Sequence, residues 1–385
     1  MIYLDYNATT PVDERVLERM LPYFTQHFGN ASSKGHVYGW AADEAVTLAR
    51  EQVGATLEAS PDAIVFTSGA TESANAAIKG IAQAYAGRGR HLITVATEHK
   101  AVLDAYRALQ RQGYTITVLP VDADGRVSVA DLEAALTDET TLVSVMWANN
   151  EVGTIQPIAD LVEATHARGA LFMTDATQAV GKIPVSVAES GVDVLVCTGH
   201  KAYGPKGVGA LYVRRSGRPV RLAPLLNGGG QERGMRGGTL NVPGIVGLGA
   251  AFELAAQHLS EDAERLSRLR DGFENRLQAA VLGIRVNGGG AQRVPNTANI
   301  GFPDGVEGPL LMAGLRNVAV SSGSACSSGS GKPSHVLTAM GLSAEAAKRS
   351  VRFSLGRPTT QADLDGAFDA VFAVINRFNA PMLVS

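Results

Sequence analysis

An α/β fold is predicted, with a large domain built on a mainly parallel sheet flanked by helices and a smaller α+β domain. Three observations carry this reading. From about residue 40, short β-branched or apolar runs alternate with longer segments of helical period, the pattern of a parallel sheet with helices on its faces. The 385 residues are too many for one compact core and fit two domains of the usual size, roughly 100 to 200 residues each. With 45% hydrophobic and 18% charged residues, the composition is that of a chain that buries substantial cores.

The elements follow in order along the chain. Strands are expected at residues 63–67, 91–96, 115–119, 141–146, 170–174, 192–197 and 208–213, with helical stretches such as 71–86 and 158–168 between them. A glycine-rich passage, 227–238, precedes a charged, leucine-rich helical pattern from about Val242 through Leu277. The change of domain is expected inside that pattern, giving a large domain of residues 15–257 and a small domain of 1–14 with 258–385. The small domain contains strands at 297–301 and 351–355. It also contains a serine-glycine stretch, 321–330, whose composition favours a mobile loop spanning about 321–333.

A formal charge of -3 provides no basic field for nucleic acid, so no direct nucleic-acid partner is expected. The opening residues Met1 to Asp5 have no basic leader, and no run reaches the ~18 apolar residues of a membrane span, so a cytoplasmic protein is expected. Cys197 and Cys326 are the only cysteines, too few for a disulfide framework or a four-cysteine metal site.

Three constellations bear chemistry. Thr198-Gly199-His200-Lys201 follows an apolar run, which places Lys201 at the carboxyl end of a buried strand, where open α/β sheets hold their ligands. A desolvated lysine there loses proton affinity and becomes able to form a Schiff base with an aldehyde, although a lysine in such a turn, taken alone, reads more readily as a surface residue. Asp175 ends the run that begins at Ala170; a carboxylate so placed can hold a proton on a pyridine nitrogen, or simply cap a helix. Phe66 to Ser73 turns from a strand through Gly69 into a helix, and the free N–H groups of that helix start, with the Thr71 hydroxyl, can form an anion cradle, although a capped helix start looks much the same.

An amine, an acid and an anion cradle are what an aldehyde cofactor with a phosphate arm requires, so the three together point to pyridoxal phosphate. The run Gly204-Pro205-Lys206-Gly207 lacks the spacing of a nucleotide loop, and no G-x-G-x-x-G follows the early strands. Asp122-Ala123-Asp124-Gly125 misplaces the glycine of a calcium loop and lacks its closing glutamate.

At this point the residues resemble a known family. The class V branch of fold-type I pyridoxal-phosphate enzymes, and within it the cysteine desulfurases that include the nitrogenase-associated and housekeeping iron-sulfur enzymes, is matched over nearly the whole chain. The matching blocks include Leu4 to Pro11, Thr67 to Ser73, Glu98 to Val102, Asn149 to Glu151, Asp175 to Gln178, Gly199 to Lys201, Glu232 to Thr239, Ser321 to Cys326 and Arg352 to Arg357.

The resemblance implies a pyridoxal-phosphate-dependent cysteine desulfurase that converts L-cysteine to L-alanine. Lys201 is then the Schiff-base lysine and proton acceptor, Asp175 the partner of the ring nitrogen, and His99 the group that stacks on the ring and moves protons. Ala70, Thr71, Thr198 and His200 surround the phosphate, and Asn150 and Gln178 lie near the phenolic oxygen. Thr239 reaches the phosphate of the other subunit of a homodimer. Asn150 and Arg352 bind the substrate. In the alternating run from Val351 to Leu355, Arg352 points away from the apolar face, and a guanidinium clamps a carboxylate with two hydrogen bonds.

Cys197 ends an apolar strand and reads as a small packed hydrophobe, whereas Cys326 sits in the serine-glycine loop and is the expected nucleophile. Its thiolate attacks the substrate sulfur and holds it as a persulfide for an iron-sulfur scaffold or other sulfur-acceptor protein. No resident metal is assigned; Cys326 is the residue that could ligate a transferred iron-sulfur cluster. Thr198 stands where the family more often has serine, and residues 327–331 vary the loop after the nucleophile; neither change removes a needed group. Selenocysteine lyase and cysteine sulfinate desulfinase share the scaffold and are the alternative activities. A catalytically silent assembly scaffold is the non-enzyme alternative.

Overall fold

The computed structural model describes residues 1–322 and 332–378. The expected nucleophile Cys326 lies outside the described residues, as does most of its serine-glycine loop. The chain opens with strand β1 (Ile2–Tyr3), followed by β2 (Ile64–Thr67), β3 (His91–Val95), β4 (Thr115–Leu119), β5 (Thr140–Ser144), β6 (Leu171–Asp175), β7 (Val194–Thr198) and β8 (Gly209–Val213). Four later strands complete the set: β9 (Arg285–Val286), β10 (Thr297–Gly301), β11 (Val318–Ala319) and β12 (Ser350–Ser354).

Strands β2 to β8 form one seven-stranded sheet in the order β2-β8-β7-β6-β5-β3-β4. Every neighbour pair is parallel except the two made by β8, so the six other strands share one direction and end on the same edge. Strand alternation divides the side chains between two cores. Ile64, Phe66, Leu195 and Cys197 face a core shared with the helices Val37–Leu57 and Ile158–Ala167. Val65, Val194 and Val196 face one shared with the helices Ala70–Ala84 and Lys100–Gln110. Because both faces are covered, β5 to β8 are buried along their whole length, which is why they read as continuous apolar runs.

Cys197 has no exposed surface and its Sγ lies 3.5 Å from the Ala210 carbonyl oxygen. Burial raises its thiol to about 12, so it packs as a hydrophobe and carries no thiolate chemistry at neutral pH.

The helix Val242–Ala280 links the two halves of the molecule. Its first turns bury Ile245, Leu248 and Phe252 against the large sheet, and its later turns bury Leu266, Phe273 and Leu277 in a separate core. That second core lies on an antiparallel sheet ordered β12-β10-β9, with β1 paired parallel to β11 beside it. The chain start is therefore joined to the C-terminal part, and Asp5 bridges to Ser354. Among the described residues no helix is long and apolar enough to cross a membrane.

Candidate active site

The shared strand direction brings the expected chemistry to one edge. β2 runs through Gly69 into the helix Ala70–Ala84, β3 leads to His99, β5 leads to Asn150, β6 ends on Asp175, and β7 leads through a tight turn to Lys201. Outside these carboxyl ends lies a cavity of about 490 Å3. Ala70, Thr71, His99, Asn150, Asp175, Gln178, Thr198, His200, Lys201 and Arg352 all line it, as the sequence led us to expect. Thr239 is exposed and does not line it.

One end of the cavity is built for an anion. Gly69 precedes the helix Ala70–Ala84 at φ 146°, a conformation closed to other residues, and no side chain caps the helix. The first-turn N–H groups of Ala70 and Thr71 have no intrahelical acceptor and lie at the positive end of the helix. The first-turn carboxylate of Glu72 is turned aside: it accepts from Ser68 N at 2.8 Å and pairs with Arg236 at 2.9 Å. His200 Nδ1 lies 3.2 Å from Thr9 Oγ1, and burial, with nearby Lys201, Lys206 and Lys182, lowers its imidazole to about 4. It is therefore neutral at pH 7, and the positive charge at this end comes from Lys206 and the helix.

At the centre, Lys201 Nζ donates to the carbonyl oxygens of Asn7 at 2.5 Å and Ala8 at 2.6 Å. Asp175 is 7% exposed, and its Oδ1 accepts from Thr177 N at 2.9 Å. No helix follows Asp175, so the capping alternative for this residue does not apply. His99 is the N-cap of the helix Lys100–Gln110, with Nδ1 accepting from Ala101 N at 3.2 Å, and it also lines the cavity. Since Nδ1 accepts, the ring proton of the neutral form sits on Nε2. Burial holds the imidazole below its ordinary value; Asp175 opposes this and Lys201 adds to it.

At the far side stands Arg352, on β12 opposite Asn299, only 1% exposed and therefore not a solvated strand arginine. Val351 and Phe353 point into the second core while Arg352 points into the cavity. Its Nη2 pairs with Asp5 Oδ1 at 2.5 Å and its Nη1 donates to the Asn150 carbonyl at 2.8 Å, which fixes the plane of the guanidinium. Its Nε is buried without a partner among the described residues.

The residues fit pyridoxal phosphate. The amine, the acid and the anion cradle line one cavity, and the Thr177 hydroxyl, which is buried without a partner among the described residues, belongs to a residue of the same wall. A Cβ placed on Gly69 would meet Thr198 Oγ1 at an ordinary contact distance of 3.7 Å, so it is the φ of 146° and not lack of space that calls for glycine at the cradle.

Several lining residues carried no assigned role in the sequence reading. Asn7, Ala8 and Thr9 enter from the chain start, and Lys206 comes from the run rejected as a nucleotide loop. Their only sequence signal was the Leu4 to Pro11 block and the lysine itself.

Comparison with known proteins gives three kinds of likeness. Residues 2–366 match the family described as aminotransferase class-V. The chain is 55% identical over 364 residues to a cysteine desulfurase IscS of Anaeromyxobacter sp. (strain Fw109-5), covering 94% of this chain and 90% of that relative. Among solved structures, a NifS-like protein superposes with a TM-score of 0.90 at 39% identity, covering 98% of this chain and 99% of the other. A structure titled SspA in complex with cysteine superposes with a TM-score of 0.83 at 40% identity, covering 92% and 99%.

Proposed function

The chain belongs to the aminotransferase class-V family, and from that membership we infer that it is a pyridoxal-phosphate-dependent cysteine desulfurase. It converts L-cysteine to L-alanine, holds the sulfur on Cys326 and passes it to acceptor proteins for iron-sulfur cluster assembly. The observation that carries this reading is the meeting of Lys201, Asp175 and the uncapped start of the helix Ala70–Ala84 in one cavity closed by Arg352.

Pyridoxal phosphate, when bound, supplies an electron sink for the charge left on the substrate's α-carbon. Ala70, Thr71, Thr198 and His200 hold its phosphate, Lys201 Nζ attaches it, Asp175 keeps a proton on its ring nitrogen, and His99 stacks on its ring. Gln178 and Asn150 orient its phenolic oxygen. Arg352, with its plane set by Asp5 and Asn150, receives the substrate carboxylate through its remaining N–H groups. Lys201 Nζ takes the α-proton, and His99 Nε2 moves protons at the reacting end. The Cys326 thiolate then attacks the substrate sulfur: the sulfur–sulfur bond forms, the carbon–sulfur bond breaks, and its electron pair stays with the organic fragment, which takes up one proton at the β-carbon, regains one at the α-carbon and leaves as alanine.

The enzyme acts in this reading as a cytoplasmic homodimer. Phe24, Phe28, Val37 and Trp40 are each more than half exposed on the N-terminal helices and the segment between them, an apolar surface suited to a second copy, and the exposed Thr239 is free to serve that copy's phosphate site. A thiol that must cycle through a persulfide also calls for a reducing compartment. The two cores joined by the helix Val242–Ala280 support the division into domains of residues 15–257 and of 1–14 with 258–385.

Cys326→Ala tests the sulfur step. The variant should keep the visible absorbance of the loaded enzyme and lose both the persulfide and sulfide release from cysteine. Sulfide release at the parent rate would refute the role of Cys326.

A further inference from the structure

A second amine stands beside the cavity, and the reaction above gives it no task. Lys182 closes a turn that begins just after Asp175, and its Nζ donates to Asn7 Oδ1 at 3.3 Å and to Gln178 Oε1. Lysine is a donor here, so both partners must turn an oxygen toward it. For Gln178 this leaves the Nε2 end on the other side, where one N–H goes to the Asn7 carbonyl at 3.0 Å and the second is left for the cavity that Gln178 lines.

Asn7 is fixed in the same way. Its Oδ1 also accepts from Asn296 Nδ2 at 3.0 Å, and its Nδ2 donates to the Asn150 carbonyl at 3.2 Å and to Thr297 Oγ1 at 2.8 Å. Its backbone carbonyl is the one that receives Lys201. The amine of Lys182 thus orients both carboxamides that flank Lys201.

We propose that Lys182 is a positioning residue of the cofactor site: by donating to Asn7 and Gln178 it locks the Gln178 amide with an N–H, rather than its carbonyl, presented to the cofactor's phenolic oxygen. An inverted amide would set a carbonyl oxygen against that oxygen and repel it. The surroundings agree with a donor that is not freely solvated. Burial, with the cations Lys201 and Arg352, holds the Lys182 amine well below the ordinary lysine value. Behind it a small cavity of about 20 Å3 is lined by Tyr6, Tyr203, Asp262 and Arg357, and there Asp262 is already paired with Arg357 at 2.8 Å. No carboxylate on that side is thus left to claim the amine in place of the two carboxamides.

This assignment rests on the pyridoxal-phosphate reading, and its test separates the two. The purified enzyme is loaded with the cofactor, its visible absorbance band is titrated with pH, and the affinity of the stripped protein for pyridoxal phosphate is measured. An N–H donor favours the deprotonated form at the phenolic end, so losing it raises the midpoint. Lys182→Met should move the midpoint up by about one pH unit and weaken cofactor binding about tenfold. In a Gln178→Leu background the same substitution should add almost nothing, because Lys182 acts through that amide.

A merely structural lysine would lower thermal stability and leave the midpoint at the parent value; that result overturns the proposal, and so does full additivity with Gln178→Leu. Should the methionine variant not fold, Lys182→Gln, which keeps one amide donor, should show a smaller upward shift, and an unshifted midpoint counts equally against it. A parent protein with no visible band would sink the cofactor reading and this assignment together.

Discussion

Lys201→Ala should lower cysteine turnover by at least about 10⁴-fold, since in the proposed reaction one side chain both attaches the cofactor and accepts the α-proton, and proton transfer alone contributes roughly 10²- to 10⁴-fold. The neighbouring amines do not substitute for it. Lys206 lines the opposite, anion-binding end, and Lys182 is committed to Asn7 and Gln178. The fold should survive the change, because Lys201 is bound through two backbone carbonyls of the segment containing Asn7 and Ala8, which is held independently through Asn7 N to Ser354 Oγ at 2.9 Å. Turnover and circular dichroism on the same sample check both halves: lost activity with a native spectrum is expected, and activity within about tenfold of the parent would contradict the assignment.

The second large effect is expected at Asp175. This carboxylate is 7% exposed and aimed by the Thr177 N–H, and in the proposed reaction it keeps a proton on the ring nitrogen and so makes the cofactor an effective sink. Asp175→Ala removes that charge while leaving Lys201 and the cradle in place. The expected result is a loaded, coloured enzyme whose turnover falls roughly 10²- to 10⁴-fold, with an altered absorbance band because the ring nitrogen has lost its proton. A variant that turns over normally with an unchanged band would show that the acid serves only the turn after β6.

The large-sheet strands could be read from the sequence because each is a short apolar run closed by turn residues, yet their ends drifted for a physical reason. The expected strand 141–146 narrows to Thr140–Ser144, although Val145 N and Trp147 N still donate to the Met173 and Asp175 carbonyls of the neighbouring strand β6. The apolar run therefore extends past the regular strand because Val145, Met146 and Trp147 are buried beside the site. In the run 192–197, Val192 and Asp193 precede the strand; Asp193 is fully buried, and its carboxylate accepts from Phe172 N at 2.7 Å while pairing with His166 and Arg214.

Within the site, Lys201, Asp175 and His99 were readable because each sits at a strand end or helix start. The contribution of Asn7 was not. Its contact with Lys201 spans 194 residues and depends on the parallel pairing of β1 with β11, for which a two-residue strand leaves no periodic signal. Lys182 had a weak signal in its four-residue spacing from Gln178, but the segment is a turn and not a helix, so that spacing carried no helical meaning.

Reducing the loaded enzyme with borohydride, digesting it and mapping the retained cofactor by mass spectrometry tests the central claim most directly. The label should lie on the peptide that contains Lys201 and on no other lysine. Label on Lys182 or Lys206, or none on a protein that has been supplied with pyridoxal phosphate, would contradict the account.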